Sequence, residues 1–497
     1  MKRQYSLLLM PLMFLLLILF VNAMSKHFSI KETLLEKCLS IQHTPFNQSF
    51  YQMNYKDQKR KLYHSMEPGQ TYMRYYEGRI VWTSNAYVKY APIDQTKTNI
   101  KVTQVEGNDV LVRYELNAVM DKVNEKEWIA ELAEAGRYNP KVFIDHIQKH
   151  NNEIKITENG NVFEYNNPNF KIQIHVDGTT ARVKKVNFIC PLTFNGLFGD
   201  EITTYEYYDY AVAPGGLNYP RMTVVSKDIV NTKDTVKIED IQLLKNFSLP
   251  LKKPEAYNYK TDPIDDVLNL TVDTFSEHIK FITVENIGSR SIVVEFNDHV
   301  LVGEAPLSSR IGEAIIQKVK ELHPDKPIKY FVFSHYHNWY TGGIRAFVHK
   351  GVEIICYDSI SNYIGHIIQR GRMIEPDSLA IRNRDMKLKI RNGDLILKDG
   401  QYEMQILHVG RKSVHTIDYS VYYFPKEQFL FDGDNLWFKK DKPIEKAGKR
   451  AIQFYDFIKS KNIEVKTMAQ SWPVDTVYNL KKFVDFKEFE QSVLMAR

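Results

Sequence analysis

Cysteine is scarce in this chain, with three residues among 497, at Cys38, Cys190 and Cys356. So few cysteines cannot form a disulfide framework, which excludes the small disulfide-stabilised class of secreted domains. None of the three lies at a spacing typical of metal ligands, and their odd number leaves at least one free or paired outside the chain. We therefore expect them to be mostly buried apolar side chains.

An excess of charge of one sign is also lacking, since 66 basic residues face 60 acidic ones and leave a formal charge of +6. No dense block of lysine and arginine resembles a binding stripe, so nucleic acid is not expected as a partner. The sequence shows no repeat of about 20–50 residues and no low-complexity tract. The expected partner is a small-molecule substrate whose identity the sequence does not name.

One long hydrophobic run is present, at the start of the chain, where "YSLLLMPLMFLLLILFV" follows the basic "MKRQ" and precedes "VNA". This arrangement is typical of a secretory signal peptide over residues 1–23. The run is rather long, so an uncleaved anchor is the alternative, with membrane contact only through residues 5–22. Either way the sequence predicts a periplasmic or secreted protein, which is membrane-anchored if the segment is kept.

The rest of the chain is predicted to form two domains. Residues 27–250 begin with a helix over 27–43 and continue mainly as strands, rich in β-branched and aromatic residues. A Pro-rich, polar linker follows over 251–269. From 270 to 497, strands alternate with amphipathic helices, which is typical of a layered α/β domain. The predicted class is therefore α+β, with a mainly antiparallel β domain at the N-terminus.

The stretch "FVFSHYHNWYTGG", residues 331–343, joins a hydrophobic strand to a His-x-His motif and a Gly-Gly pair. Residues i and i+2 of an extended segment point the same way, so His335 and His337 can address one ion together. Gly342 and Gly343 allow a tight turn into the next helix. On its own the motif is a weak signal, because two solvated or core histidines would look the same.

A second stretch, "LHVGRKSVHTIDYSVYYFPKEQFLFDGDNLW" over 407–437, carries similar chemistry. His415 lies in a predicted turn before a strand, and Asp432 and Asp434 follow another strand. Functional groups often lie on the loops that a rigid scaffold positions. As in the first stretch, a histidine and a carboxylate are thus predicted to lie at the ends of strands.

Taken in order, these segments resemble the metallo-β-lactamase fold superfamily over residues 282–473. "HVLVGEAP" resembles the family's first hairpin, "SHYHNWYTGG" its metal motif, "VHT" its third histidine and "LFDGD" its bridging acid. The resemblance implies an αβ/βα four-layer sandwich for residues 270–497. The N-terminal domain more loosely resembles that of secreted quinoprotein-associated metallo-hydrolases. The superfamily hosts many reactions, so the fold alone does not fix the function.

The departures from the family's motif all concern its second metal site. Trp339 and Tyr340 stand where the family has an aspartate and a histidine, and Ser471 stands where its last histidine falls. Tyr340 is predicted to donate a hydrogen bond to a developing oxyanion. Trp339 is expected either to fill the vacant site or to stack on a ligand.

The resemblance assigns the family's first metal site to His335, His337 and His415, with Asp434 as the bridging acid. Three histidines with an open position are the ligand set of a hydrolytic mono-zinc site, which activates water near neutral pH. Asp434 is then either a fourth ligand or the group that orients and deprotonates the water. The predicted function is an exported hydrolase-like protein with one zinc ion. The alternative is an inactive pseudoenzyme that binds a ligand or partner in the cell envelope.

Overall fold

The computed structural model describes most of the chain beyond residue 33. The described residues are 34–41, 50–62, 67–83, 86–92, 100–106, 109–114, 120–122, 125–150, 153–157, 160–191, 199–228, 232–252, 267–412, 415–474 and 478–497. The predicted signal peptide, 1–23, and most of the predicted linker lie outside them. The helix predicted over 27–43 is seen at 34–41, as α1.

The chain forms two compact units. The first takes residues up to 260 except for the segments 61–72 and 191–200, which belong to the second unit together with residues 261–497. The predicted domains, 27–250 and 270–497, are each continuous, whereas the first unit is interrupted by these two segments. The first unit is mainly β-sheet and the second combines sheets with helices, so the predicted α+β class is confirmed.

The described residues of the first unit form one sheet of thirteen strands. The strand order is β6-β5-β4-β3-β2-β1-β13-β12-β11-β10-β9-β8-β7, and each pair with a described register is antiparallel. Its strands are β1 Phe50–Leu62, β2 Thr71–Trp82, β3 Ala86–Pro92, β4 Ile100–Glu106, β5 Asp109–Tyr114, β6 Met120–Lys122, β7 Lys155–Thr157, β8 Val162–Asn167, β9 Phe170–Val176, β10 Val183–Pro191, β11 Asp200–Val212, β12 Asn218–Lys227 and β13 Thr232–Leu244.

One face of this sheet packs on helices. In β9, buried and partly exposed side chains alternate strictly, as expected for a strand with one covered face. Helices α2 (Glu125–Gly136) and α3 (Lys141–Gln148) contribute apolar side chains such as Trp128 and Phe143 to the same core, and α1 contributes Leu35. The core is therefore built between the sheet and these helices.

A buried ion cluster ties the end of α2 to two strands of the sheet. Arg137 donates through Nη2 to Asp57 Oδ1 at 2.5 Å and through Nη1 to Asp234 Oδ2 at 2.9 Å. The side chain of Arg137 is only 4% exposed. A guanidinium at such a depth is tolerated because its two carboxylate partners offset the loss of solvation.

In the second unit, the residues that the structure describes form two sheets. The first has seven strands in the order β14 to β20, antiparallel from β14 to β17 and parallel from β17 to β20. Its strands are β14 Leu270–Thr274, β15 Ile279–Val284, β16 Ser289–Glu295, β17 Val300–Gly303, β18 Ile328–Val332, β19 Glu353–Tyr357 and β20 Lys387–Arg391.

The other sheet has six strands in the order β21 to β26. Its pairs are antiparallel except for β24 and β25, which are parallel. The strands are β21 Leu395–Asp399, β22 Tyr402–His408, β23 Ser420–Phe424, β24 Phe429–Asp432, β25 Thr467–Gln470 and β26 Val484–Asp485.

The two sheets pack face to face. Phe281 and Ile292 of the seven-stranded sheet share a buried core with Tyr422 and Phe431 of the six-stranded sheet. All five residues of β23 are buried, because alternate side chains face the other sheet and a helix layer. Strands covered on both faces read as nearly continuous hydrophobic runs, as "SVYYF" does.

Helices cover the outer faces of this sandwich. Phe347 of α6 (Ile344–Lys350) stacks on Phe331 of β18, with ring centroids 4.3 Å apart, while α9 (Lys449–Ser460) and α10 (Phe486–Leu494) pack on the six-stranded sheet. The helices are α4 Ser309–Leu322, α5 Asn338–Thr341, α6 Ile344–Lys350, α7 Ser361–Gln369, α8 Ser378–Ile381, α9 Lys449–Ser460 and α10 Phe486–Leu494. The predicted αβ/βα four-layer arrangement is confirmed. Among the described residues, no helix has the length and apolar character needed to cross a membrane.

Candidate metal centre

The His-x-His motif lies just after β18, in a loop anchored by a buried acid. The backbone N–H of Ser334 donates to Glu304 Oε1 at 2.9 Å, and Tyr422 Oη donates to the same oxygen at 2.9 Å. Glu304 has φ of 67°, a conformation that costs energy for a non-glycine residue. These contacts fix the backbone from which His335 and His337 project.

Three histidine rings converge on one point. His335 Nε2 lies 3.1 Å from His337 Nδ1 and 3.1 Å from His415 Nε2. All three side chains are buried, and one nitrogen from each lies within 4.8 Å of the others. Tetrahedral zinc with Zn–N distances of about 2.0–2.1 Å requires nitrogens about 3.3 Å apart. The donor set therefore fits a zinc ion.

The orientation of His335 is set by its neighbours. Its Nδ1 lies 3.1 Å from Ser334 Oγ, and with the proton on Nδ1 the lone pair of Nε2 faces the other histidines. The ring packs between Tyr340, at a centroid distance of 4.1 Å, and Tyr419, at 4.8 Å. Such packing limits the positions that the imidazole can adopt.

Asp434 lies beside the histidines, with Oδ2 3.6 Å from His415 Nε2. Its Oδ1 accepts hydrogen bonds from Tyr419 Oη at 3.0 Å and from Arg450 Nη2. Burial opposes ionisation of Asp434, but Arg450 and the neighbouring histidines outweigh it and hold the pKa of this carboxyl below its ordinary value. Asp434 is therefore ionised at neutral pH.

A network of polar groups supports the loop that carries Asp434. Tyr419 Oη also contacts Asp432 Oδ1 at 2.8 Å, and Asn435 Nδ2 donates to both groups at 2.9 Å. Burial, reinforced by the charge of Asp434, raises the pKa of Asp432 to about 6. Gly433 between the two acids has no room for a side chain, because an added Cβ would lie 2.9 Å from Tyr419 Oη.

The positions that depart from the family's motif have other partners. Trp339 stacks on Trp472, with centroids 4.4 Å apart and planes 26° apart. Ser471 is buried and its hydroxyl donates to the carbonyl oxygen of Arg290 at 2.8 Å. Tyr340 is buried, its Oη has no hydrogen-bond partner among the described residues, and burial raises its pKa well above 10.

Three residues of this centre were not singled out from the sequence. Glu304 lies in "HVLVGEAP", and an acid directly after a buried strand was the one available signal. Tyr419 and Arg450 gave no local signal, since a tyrosine next to a strand and a basic residue in a helix are both common. Their roles follow from contacts that the tertiary fold creates.

A cavity of about 1100 Å³ lies in the second unit near the centre. Tyr363 lines it and contacts Tyr336 at a centroid distance of 5.5 Å, and Tyr336 contacts His337 at 4.7 Å. His408 also lines the cavity and stacks on Tyr357 at 4.0 Å. Burial lowers the pKa of His408 to about 4, so its ring is neutral at pH 7.

Solved metallo-β-lactamase structures match slightly less than half of the chain. The metallo-β-lactamase from Pontibacter korlensis is 14% identical, with 46% of this chain and 99% of that chain covered and a TM-score of 0.33. FIM-1 from Pseudomonas aeruginosa in its mono-zinc form is 16% identical, with coverages of 47% and 97% and a TM-score of 0.32. The metallo-β-lactamase from Hirschia baltica is 14% identical, with coverages of 46% and 98% and a TM-score of 0.32.

These structures are named metallo-β-lactamases, and the motifs of this sequence resemble the same family. No protein-family model matches the chain, and no curated protein matches it either.

Proposed function

We propose that the second unit is a metallo-β-lactamase-fold hydrolase that uses one zinc ion, and that the protein is exported. The observation that carries the proposal is the convergence of three buried histidine nitrogens, 3.1 Å apart in two of the pairs, beside an ionised Asp434. Three histidines and an open position are the donor set of catalytic rather than structural zinc.

The proposed chemistry divides between the ion and the chain. A bound zinc ion supplies the Lewis acidity that makes water a nucleophile near neutral pH. His335, His337 and His415 would hold the ion, and Asp434 would accept a hydrogen bond or a proton from the attacking water. Tyr340 stays protonated, because its pKa lies well above 10, and its buried Oη is the proposed donor to the oxyanion.

The proposed substrate is a small molecule. We do not propose a nucleic-acid partner, because the net charge of +6 is small for a chain of this length. Export is supported by the basic and apolar start of the sequence, and membrane contact would occur only through residues 5–22 if this segment is not cleaved.

A second candidate function is ligand or partner binding without catalysis. It is favoured by Trp339, which stands in the sequence where the resemblance expects a ligand of the second metal and which stacks instead on Trp472. Trp437 extends this aromatic group and is 51% exposed, as a binding surface requires. In this case the three histidines would be a remnant with weak metal affinity.

The test is the metal content of the purified mature protein, measured by mass spectrometry. Wild type is compared with the double variant His335→Ala/His337→Ala and with His366→Ala, a control at an exposed histidine of α7. About one zinc per chain in wild type and control, absent from the double variant, supports the proposal and justifies a hydrolase substrate screen. No zinc after incubation with the ion would overturn the catalytic proposal, and zinc without turnover across the screen would favour the binding function.

A further inference from the structure

We propose that Arg450 keeps Asp434 out of the zinc ligand set, so that the centre binds its ion through three histidines alone. Asp434 then acts as an acceptor that orients water. The inference rests on the proposed mono-zinc function and decides between the two roles that the sequence leaves open for Asp434.

The two oxygens of Asp434 have different surroundings. Oδ1 accepts from Arg450 Nη2 and lies 3.0 Å from Tyr419 Oη, whose single proton is shared with Asp432 Oδ1 at 2.8 Å. Oδ2 approaches the histidines and is 3.6 Å from His415 Nε2. These contacts, above all the one from Arg450, limit how far the carboxylate can turn towards an ion.

The distances among the potential ligands also indicate that Asp434 lies outside the ligand set. Among the described residues, the potential metal-binding group consists of His335, His337 and His415, with one nitrogen from each within 4.8 Å of the others. Asp434 does not belong to this group, although it touches one of its members. The carboxylate therefore lies at the margin of the site rather than inside it.

Arg450 is itself fixed in place. Its Cζ lies 5.3 Å from the centroid of the Tyr419 ring, and Tyr419 is held in turn by Asp432 and Asn435. Only 27% of the Arg450 side chain is exposed. A guanidinium never loses its proton in a protein, so a permanent positive charge stands next to Asp434.

This fixed charge has two effects on a metal ion. It neutralises Asp434, which weakens the carboxylate as a ligand, and it repels any cation that approaches the same side of the site. Loss of Arg450 should therefore tighten metal binding while it impairs orientation of the attacking water. Replacement of a residue with a merely structural role would neither tighten metal binding nor add a carboxylate to the ligand field.

The experiment measures zinc affinity by competition with a chromophoric chelator, together with the visible spectrum of the Co²⁺-substituted protein. Arg450→Met is compared with Arg450→Lys, which restores the charge, and with Asp434→Asn. Lys449→Met is the matched control, because it removes one exposed positive charge from the adjacent position of α9.

We expect Arg450→Met to bind zinc about tenfold more tightly or better and to change the Co²⁺ spectrum as a carboxylate joins the ligands. Arg450→Lys and Lys449→Met should stay within about threefold of wild type. Asp434→Asn should weaken zinc binding by less than about tenfold, because it removes a charge near the ion but no ligand. The double variant Arg450→Met/Asp434→Asn should lose most of the tightening and regain the wild-type spectrum.

Two results would overturn the inference and leave the proposed function standing: a loss of affinity of about 100-fold in Asp434→Asn, or an unchanged affinity in Arg450→Met. If Arg450→Met binds zinc and the wild-type chain does not, the result would support the role of Arg450 and overturn the mono-zinc function of the wild-type chain. No zinc binding by any form would overturn both.

Discussion

Replacement of Gly433 by alanine should separate the precision of the metal centre from the stability of the fold. The added Cβ would lie 2.9 Å from Ser334 Oγ, 2.9 Å from Tyr419 Oη and 3.2 Å from His335 Cε1. Contacts below 3.0 Å force neighbours to move, and overpacking of this kind costs about 1–3 kcal/mol. Two of these atoms belong to side chains that orient His335 and the third belongs to the His335 ring itself, so zinc affinity should also fall by about 10- to 100-fold.

Two measurements check this prediction, urea denaturation of the metal-free protein and zinc affinity by chelator competition. Gly393→Ala is the matched control, since an added Cβ at Gly393 meets no atom within 4 Å. The control should stay within about 0.5 kcal/mol of wild type and keep its zinc affinity. If Gly433→Ala behaves like the control in both assays, the crowding derived from the structure does not limit the site.

Three further predictions concern stability. Arg137→Met should lower the free energy of unfolding by about 3–5 kcal/mol in urea titrations, because Asp234 loses its buried counter-charge and Asp57 keeps only Lys59, at 3.5 Å; a loss below about 1 kcal/mol would contradict this. Burial, reinforced by the charge of His150, lowers the pKa of His146 to about 4 from 6.5, so the native state resists protonation while the unfolded state accepts it. Stability should therefore fall as the pH drops from about 6.5 to 4, by up to about 3 kcal/mol from this group, and urea titrations of His146→Phe at several pH values should show a smaller slope; an unchanged slope would refute the assignment. Ser308 caps α4 by accepting a backbone hydrogen bond, so Ser308→Ala should cost about 1 kcal/mol in thermal unfolding, whereas Ser308→Asp should cost little; equal losses in both variants would argue against the cap.

The sequence predicted those parts of the fold that depend on local residue patterns. The alternation in β9 and the apolar run of β23 are readable because side-chain direction in a strand repeats every two residues. His335 and His337 could be paired for the same reason. The four layers followed from the resemblance, and the packing of both sheets on one core confirms them.

The rest of the centre depends on contacts between distant positions. Glu304 reaches a backbone amide 30 residues away, and Arg450 reaches a carboxylate 16 residues away. No periodicity in the sequence relates such positions, because the topology of the sheets decides which loops meet. The support for Asp434 could therefore not be predicted, while its place after a strand could.

The two-sheet construction of the second unit has a consequence for the lifetime of the protein. His335 and His337 follow a strand of one sheet, and His415, 80 residues further along the chain from His335, precedes a strand of the other. An ion shared by these residues would act as a removable cross-link between the sheets. At a free zinc concentration about 1,000 times its Kd, the ion would add about 4 kcal/mol to the stability of the folded state. The supply of zinc in the surroundings would then govern how long the chain survives proteolysis, independently of any turnover.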